Sequence, residues 1–412
     1  LMKKIIYITR KWNHDFFTQV SQGLDYESSF FREEALEHDC INSPMSFDQK
    51  EIKSIISGCR LLRNIQEETA VQRISRSYSN VFNFLNKKKP DYVISLTVDN
   101  YHLDIFHRVC INLNIEFIGL VNSLIPGYVR ISANGEPNYS NQGPNIHYLS
   151  DFYASKLRPL HFEETSSYRK FFRNFKSLLR KVFFSYKYFL GDRKYHTLVN
   201  YLWHKRGEVG SLSKINSNIS KSDLIFLPLQ YSPECTIDYW APVQPDNDYE
   251  QFLKNIILSF ADYNFLIKEH PSYDGQRIKN FDHFLTEMDN CNVASVGEST
   301  YELFKSVDYV ATLTGTVAVE AILSDKKVWL LSNSIPYFFK DVTLLPGLKN
   351  TGHVIEPTET NKDKLMSNIN KMLIPGAITL TKTLFNYTWD YNGLVNLTNS
   401  LKLYINQKEK ET

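Results

Sequence analysis

The stretch TLTGTVAVEA, residues 312–321, decides the fold of the carboxyl-terminal half of this chain. Its first residues end an apolar run, and Gly315, flanked by Thr314 and Thr316, leads directly into small residues that favour a helix. A strand that turns through glycine into a helix is the repeating unit of doubly wound sheets, in which ligands bind at the carboxyl ends of the strands. The stretch therefore predicts an α/β domain with a binding edge at this turn.

The turn also has the chemistry of a phosphate site. A helix start presents free backbone N–H groups and the positive end of the helix dipole. Gly315 would let the backbone approach closely, both threonine hydroxyls could donate hydrogen bonds, and Glu320 could accept hydrogen bonds from a ribose diol. The alternative is that one threonine only caps the helix and that Glu320 is a solvated charge.

Strands and helices alternate on both sides of this stretch, after a polar linker at 211–223. This alternation predicts a parallel sheet with helices on its faces. The predicted strands are 224–229, 264–268, 292–296, 308–312 and 327–331, and the predicted helices are 248–261, 276–288, 299–306 and 315–324.

Two further strand ends carry polar groups that suit a donor. In KEHP, Pro271 ends the strand and leaves Lys268 to neutralise a phosphate and His270 to donate to it or act as an acid, with Glu269 between them. Ser332 follows the last predicted strand. A histidine before proline is alternatively a satisfied turn residue, but its place in the same sheet as the glycine turn favours the functional interpretation.

The segment PLQYSPECTID, residues 228–238, offers carboxylates after the first strand of this domain. Gln230, Glu234 and Asp238 are four residues apart, so a short helix would place both carboxylates on one face. One would serve as a nucleophile and the other as a base or orienting group. Alternatively, Glu234 caps a turn and Asp238 is solvated. The Asp-X-Asp pattern at 246–248 precedes a helix and is interpreted as a cap, so no metal is predicted.

The amino-terminal half is also predicted to be α/β. KKIIYIT (3–9), Tyr92–Leu96 and Phe117–Val121 are apolar runs typical of buried strands, and the first is too short for a signal peptide. Asp99 and His102 follow the second of these runs. Arg130 and Glu136 lie in a stretch rich in glycine and proline, 122–144, which predicts a long functional loop. These four residues are candidates for the acceptor side, with Asp99 or Glu136 as base; ordinary loop ion pairs are the alternative.

Composition limits the function. The chain has 412 residues, enough for two domains, and a formal net charge of +2 argues against a nucleic-acid partner. Its five cysteines are scattered without disulfide or zinc spacing, which favours a reducing cytoplasm. No run of about 18 apolar residues predicts a membrane-spanning helix.

The segment 168–206 holds much of the aromatic content, with eleven Lys or Arg residues against the single Asp192. Six apolar residues recur there at helical spacing beneath a basic face: Phe171, Phe172, Phe175, Leu178, Leu179 and Val182. This pattern is typical of a helix lying on an anionic membrane, and also of a helix packed on its own domain. We favour peripheral contact with the inner face of the bacterial inner membrane.

KEHP, TLTGTVAVEA and KKVWLLSNSIPY together resemble the bacterial capsule and surface-polysaccharide glycosyltransferases related to retaining β-Kdo transferases. Those enzymes use CMP-activated ulosonic acids, and the His-Pro pair also occurs in bacterial sialyltransferases. The resemblance implies a GT-B-like fold, with two Rossmann-like doubly wound domains facing a cleft, and a metal-independent reaction without a cofactor. It marks Lys268, His270, Gly315 and Glu320 as donor-site positions. The chain departs from the family, which has an aspartate a few residues after the glutamine, where this sequence has Glu234 and then Asp238.

We therefore expect four segments: an acceptor-side domain 1–165, a basic aromatic segment with linker 166–221, a nucleotide-sugar-binding domain 222–375, and a helical tail 376–412 packing back on the first domain. The predicted activity is transfer of a Kdo-like or nonulosonic acid from a CMP donor to a glycan, in capsule or lipopolysaccharide synthesis. The expected acceptor is lipid-linked. The alternatives are a UDP-sugar-dependent GT-B transferase, a non-hydrolysing sugar-nucleotide epimerase, and an inert GT-B scaffold.

Overall fold

The computed structural model describes part of the chain, and all structural statements below refer to that part: residues 2–10, 12–37, 45–63, 65–123, 125, 127–133, 135–136, 179, 182–183, 186, 209–213, 224–231, 236–240, 248–273, 277–313, 316–332, 335–378, 380–382 and 387–411. The chain divides into two compact units. The first contains residues 1–59, 66–145 and 367–412, and the second contains 60–65 and 146–366.

The described strands are β1 Lys4–Thr9, β2 Glu27–Arg32, β3 Tyr92–Leu96, β4 Glu116–Asn122, β5 Tyr128–Ile131, β6 Val209–Gly210, β7 Leu224–Pro228, β8 Asn264–Lys268, β9 Arg277–Ile278, β10 Cys291–Ala294, β11 Tyr309–Thr312, β12 Lys327–Leu330, β13 Leu344–Pro346, β14 His353–Ile355, β15 Ile374–Pro375, β16 Leu380–Lys382 and β17 Tyr387–Trp389. The described helices are α1 His14–Gln22, α2 Gln49–Gly58, α3 Arg60–Arg63, α4 Glu67–Lys88, α5 Tyr101–Asn112, α6 Tyr249–Ser259, α7 Lys279–Glu287, α8 Thr300–Phe304, α9 Thr316–Leu323, α10 Glu359–Met372 and α11 Tyr391–Glu411. A π-helical turn covers Thr236–Trp240, and short 3-10 turns cover Glu33–Glu37, Pro271–Tyr273, Tyr337–Phe339 and Leu348–Asn350.

The first unit is built on a sheet of six strands in the order β15-β5-β4-β3-β1-β2. The four strands from β4 to β2 are parallel, whereas β5 and β15 each run antiparallel to their neighbour. The parallel strands confirm the α/β prediction for this half. The prediction of a long loop over 122–144 is partly wrong, because Tyr128–Ile131 forms β5. Residues 137–144 lie outside the described residues.

Gly119 on β4 lets the antiparallel edge approach. A Cβ atom placed there would lie 2.4 Å from the backbone oxygen of Ser132. The Ser132 N–H donates to the Gly119 oxygen over 2.7 Å, so the two backbones are in direct contact. A side chain at this position would push them apart, which explains why glycine stands in an otherwise apolar strand.

The carboxyl-terminal helix α11 belongs to the first unit. Its buried face, with Leu394, Leu397 and Leu401, packs in one cluster with residues of β1 and α1. Near its end, the Tyr404 hydroxyl donates to Glu116 over 2.7 Å. The return to this unit begins at Ser367, inside α10.

The second unit is built on a sheet of seven strands in the order β10-β8-β7-β11-β12-β14-β13. The first five are parallel, and β14 and β13 are antiparallel additions at the β12 edge. The five parallel strands and the helices between them lie within a few residues of their predicted positions, which confirms a Rossmann-like unit. The antiparallel pair was not predicted, because Leu344–Pro346 and His353–Ile355 are only three residues long and lie among turn-forming residues.

One face of this sheet is closed by apolar side chains of α6 and α7. Leu253, Ile257 and Phe260 on or next to α6 are buried against the sheet residue Trp329. The Phe260 and Trp329 rings meet edge to face, with 4.6 Å between their centroids. Asp248 begins α6, and its carboxylate accepts from two backbone N–H groups over 3.2 Å, as a helix cap does.

Within the described ranges, no helix combines the length and the apolar character needed to cross a bilayer.

Candidate functional site

The candidate donor residues of the second unit lie along one edge of its sheet. Strands β8, β7, β11 and β12 are neighbours and run parallel, so their carboxyl ends meet at the same edge. Lys268 ends β8, Gln230 follows β7, and Ser332 follows β12; all three are buried. The edge therefore gathers the predicted donor positions that the structure describes.

The turn after β8 places Lys268 and His270 at this edge. Pro271 has no N–H to continue the strand and begins a 3-10 turn that reaches Tyr273. The Tyr273 N–H closes the turn by donating to the His270 oxygen over 2.8 Å. The end of β8 stays fixed to β7, because the Leu229 N–H donates to the Lys268 oxygen over 2.8 Å.

The side chains of Lys268 and His270 are both partly shielded from solvent. Burial lowers the pKa of Lys268, while the charge of Glu298 acts in the opposite direction. Burial lowers the pKa of His270 to about 4, and the positive charges of Lys268 and Arg277 add to that effect. At neutral pH the His270 imidazole is therefore uncharged, so that one ring nitrogen carries an N–H able to donate and the other can accept.

Glu269 has a supporting role. Its Oε2 accepts from Arg277 Nε over 2.8 Å, and its Oε1 accepts from Arg277 Nη2 over 2.7 Å and from the His270 N–H over 2.7 Å. Glu269 and Arg277 are each 1% exposed. Both carboxylate oxygens therefore hold the turn, and the assignment of Glu269 to donor binding stays a sequence-based prediction.

The start of α9 is the second feature of the edge. Thr316 is its first residue and is exposed, and Glu320 follows one turn later, partly buried. Burial raises the pKa of Glu320, whose side chain makes no hydrogen bond within the described part of the chain. Thr314 and Gly315 lie outside the described residues, so their predicted contacts with phosphate stay predictions.

The carboxylates predicted to act on the sugar are not located. Glu234 lies outside the described residues, and Asp238 lies in the π-helical turn Thr236–Trp240 without a described side chain. The backbone of Gln230 is fixed, because its N–H donates to the Tyr249 hydroxyl over 3.0 Å and its oxygen accepts from Arg277 over 3.3 Å. The roles of Glu234 and Asp238 remain sequence-based predictions.

The first unit has an ionic cluster at the carboxyl ends of its adjacent strands β2, β1 and β3. Arg10 forms a two-pronged ion pair with Asp99 and donates through Nε to Glu33 over 2.6 Å. Asn100 Nδ2 donates to Glu33 over 2.8 Å and to Asp99 over 3.0 Å, and its own side chain caps α5. Asp99 would have to release Arg10 before acting as a base.

Arg10 and Glu33 were not among the residues predicted from the sequence. Arg10 directly follows the first predicted strand, so the strand-end rule used in the other half could have selected it. Glu33 follows β2, whose sequence ESSFFR has weak apolar character and gave no strand prediction. The pairing of β1 with β2 brings the two residues together.

The remaining acceptor candidates are dispersed. His102 is a buried residue of α5, with Nδ1 3.2 Å from Ser77 Oγ. Its assignment as an acceptor-binding residue stays a sequence-based prediction. Arg130 pairs with Val121 in the middle of the antiparallel edge, and Glu136 is exposed beyond β5.

No group of three or more His, Cys, Asp or Glu residues with the geometry to hold a metal ion occurs among the residues that the structure describes. The carboxylate of the Asp-X-Asp pattern that is described, Asp248, caps α6.

Comparisons with known proteins give distant likenesses. No family model matches the chain, and no curated protein matches it. Among solved structures, it is similar to the β-Kdo 2,7 transferase KpsC of Thermosulfurimonas dismutans, with a TM-score of 0.40 and 11% identity over 96% of this chain and 99% of that one. It is also similar to the UDP-GlcNAc 2-epimerase of Methanocaldococcus jannaschii in complex with UDP-GlcNAc and UDP, with a TM-score of 0.32 and 12% identity over 99% of each chain. At such scores these likenesses carry no argument about activity, which rests on the residues of the site.

Proposed function

We propose that this protein is a GT-B-type glycosyltransferase that binds the nucleotide of a sugar donor at the carboxyl edge of its second unit. The observation that carries the proposal is the placement of Lys268 and His270 at the end of β8, in the sheet where β11 leads into α9. A nucleotide diphosphate or monophosphate ester needs cations, N–H donors and a hydroxyl-binding carboxylate at one edge of an α/β sheet. At this edge Lys268 is a cation, the start of α9 has N–H groups, and Glu320 is a carboxylate.

In this proposal each group has a separate task. Lys268 neutralises the phosphate, and the uncharged His270 donates a hydrogen bond to the oxygen that leaves with it. The start of α9 meets the phosphate through its N–H groups, and Glu320 accepts from the ribose. Glu234 acts on the anomeric carbon with Asp238 as its orienting partner, and Asp99 with Arg130 and Glu136 serves the glycan acceptor.

We propose a Kdo-like or nonulosonic acid linked to CMP as the donor, in the synthesis of a surface polysaccharide. This choice is supported by the resemblance of KEHP and TLTGTVAVEA to transferases of CMP-activated sugars. The phosphodiester of a CMP-sugar carries one negative charge, which the single charge of Lys268 would balance, since Arg277 beside it is already paired with Glu269. The proposed localisation is the cytoplasm.

Thermal stabilisation by nucleotides tests the donor class. A ligand that binds only the folded protein raises its stability by about 2.7 kcal/mol at a hundred times its Kd. We expect the melting temperature to rise with CMP more than with UDP or GDP at equal concentrations, and the rise to be reduced by Lys268→Ala. Lys279→Ala, at an exposed position on α7, serves as the matched control. A larger rise with UDP would remove the CMP assignment.

Turnover assays separate the proposed reaction from the two alternatives. Each CMP-, UDP- and GDP-sugar is supplied with and without a glycan acceptor, and the products are separated by mass. We expect transfer that requires the acceptor and a CMP-linked donor. Conversion of a UDP-sugar without acceptor would identify an epimerase, and binding of no nucleotide with turnover of no donor would identify a scaffold.

A lipid-linked acceptor and contact with an anionic membrane complete the proposal. Leu179, Val182, Phe183 and Tyr186 are helical, follow the i, i+3, i+4, i+7 spacing of one helix face, and are 51% to 58% exposed. They lie in the segment 168–206 with its eleven basic residues. Apolar side chains on one face with surrounding basic charge suit the headgroup region of an anionic bilayer.

Vesicle flotation tests this contact. We expect the protein to float with vesicles containing phosphatidylglycerol and to float weakly with phosphatidylcholine alone. Leu179→Glu with Phe183→Glu should reduce binding about tenfold or more, since two apolar side chains are lost from the interface. Leu258→Glu, at a similarly exposed apolar position of α6, is the control. Unchanged flotation of the double variant would contradict membrane contact through this face.

A further inference from the structure

We infer that Arg277 is the positioning residue for His270, holding the backbone and the ring of that histidine through two separate sets of contacts. The inference rests on the proposed function, in which His270 meets the leaving phosphate. Arg277 begins the two-residue strand β9, which pairs with β6 away from the main sheet. It reaches the turn after β8 from a separate element.

The first set of contacts holds the backbone. Arg277 grips Glu269 with Nε and Nη2, at 2.8 and 2.7 Å, which fixes the plane of the carboxylate. The same Oε1 accepts from the His270 N–H over 2.7 Å. The orientation of the peptide that carries the imidazole therefore depends on the two-pronged pair.

The second set of contacts holds the ring. The Arg277 guanidinium lies over the Tyr273 ring, with Cζ 4.4 Å from its centroid. Tyr273 meets Tyr231 edge to face at 5.3 Å, and Tyr231 meets His270 edge to face at 5.8 Å. Such stacked and edge-to-face pairs fix ring orientations, so the guanidinium limits the positions of the imidazole through two tyrosines.

Arg277 also ties the turn to the neighbouring strand. Its Nη2 donates to the Gln230 oxygen after β7 over 3.3 Å, and its Nη1 lies 3.6 Å from Glu250 on α6. The planar guanidinium fork makes all these contacts at once, which a lysine ammonium cannot do. Arg277 thus connects the residue after β8, Glu269, with a residue after β7, Gln230.

Stability alone does not account for this arrangement. A buried ion pair is commonly no more stabilising than a well-packed apolar pair of the same volume, because both charges lose their hydration. Arg277 and Glu269 both lose their hydration, and their contacts lead to His270. A buried apolar pair at these two positions could not orient the histidine in this way.

Arg277→Lys tests the inference, because it keeps the positive charge and removes the fork. We expect kcat to fall about 10- to 100-fold while the nucleotide Kd changes little, since displacement of a reacting group by about 1 Å has this cost. In protein with ¹³C-labelled histidine and no ligand, the His270 ring signal should shift, because the stacked and edge-to-face ring contacts that orient the imidazole are disturbed. Arg108→Lys, which alters the ion pair with Asp104 on α5, is the control and should leave kcat and the His270 signal unchanged.

Tyr273→Leu gives a second test that leaves the Arg277–Glu269 pair in place. We expect the His270 signal to shift and kcat to fall, by less than in Arg277→Lys. An unchanged His270 signal and kcat in both folded variants would overturn the positioning role while leaving the proposed function intact. A shifted His270 signal in a protein that binds no nucleotide would support the positioning role and overturn the proposed function.

Discussion

Replacement of His270 by alanine is expected to lower kcat with the donor by roughly 100-fold or more, the usual contribution of a group that assists a leaving group. The imidazole lies at the end of β8, beside Lys268, where the donor phosphate is proposed to bind. The loss should fall on kcat more than on nucleotide affinity, because charge develops on the leaving oxygen only in the transition state. Steady-state turnover and nucleotide titration of the same variant measure the two effects.

Two further substitutions define what His270 does. His283→Ala changes an exposed histidine of α7 in the same unit, so it should leave turnover unchanged. His270→Gln keeps a neutral hydrogen-bond donor and removes the titrating ring. If His270 acts by hydrogen bonding, the glutamine variant should be clearly more active than the alanine variant. Full activity of His270→Ala would refute the proposed mechanism.

The pH dependence follows from the same position. Because burial, with Lys268 and Arg277, lowers the pKa of His270 to about 4, the ring of the free enzyme is uncharged from pH 5.5 upward. The unfolded chain binds a proton to this residue below about pH 6.5, so the folded state loses stability as the pH falls from there toward 4. His270→Gln should reduce this loss, which denaturation at pH 7 and pH 5 measures.

Arg277→Met is expected to have the largest effect on stability, lowering the free energy of unfolding by about 3 to 5 kcal/mol. The substitution leaves the carboxylate of Glu269, which is 1% exposed, without its cation. Burial by itself would lower the pKa of Arg277, but the hydrogen bonds and charge of Glu269 raise it above its ordinary value. Urea denaturation of the whole protein, compared between the parent and the variant, measures the lost free energy of unfolding.

The matched control is an ion pair at the surface. Lys305 and Glu302 on and next to α8 are 2.8 Å apart, with side chains that are each 58% exposed. Lys305→Met should produce no measurable change, since water already solvates both charges. In the double variant Arg277→Met with Glu269→Gln, the uncompensated charge is gone, and most of the lost stability should return. A single variant as stable as the parent protein would show that the pair is not buried in solution.

Elements with strong local signals could be predicted from the sequence. Each of β7, β8, β11 and β12 is an apolar run bounded by a turn residue, and α6 carries Leu253, Ile256 and Ile257 on one face. Such periodicity is a property of neighbouring residues and is visible before folding. Strands β5, β13 and β14 were not predicted because they lie in stretches rich in glycine, proline and polar residues, where no apolar run stands out. Pairing with an existing edge stabilises them more than their own composition does.

Only part of the candidate site could be predicted from the sequence, because only some of its residues lie in segments with a local pattern. Lys268 and His270 were selected because Pro271 and the preceding apolar run mark a strand end in the chain itself. Arg277, which organises the turn, is separated from it by residues 274–276 and lies in a two-residue strand without a pattern. Arg10 and Glu33 are 23 residues apart and meet only through the pairing of β1 with β2.

The turn at TLTGTVAVEA shows this division between sequence and structure. The sequence by itself determined that a strand ends here, that a helix begins at about residue 315, and that the sheet around it is parallel, because short-range periodicity and a glycine suffice for these features. Only the tertiary structure decided that Glu269 pairs with Arg277, that His102 is buried beside Ser77, and that β8 and β11 both flank β7. These outcomes depend on which distant segments share a buried space, where each charge and each polar group must find its partner, and no local pattern in the chain encodes that choice.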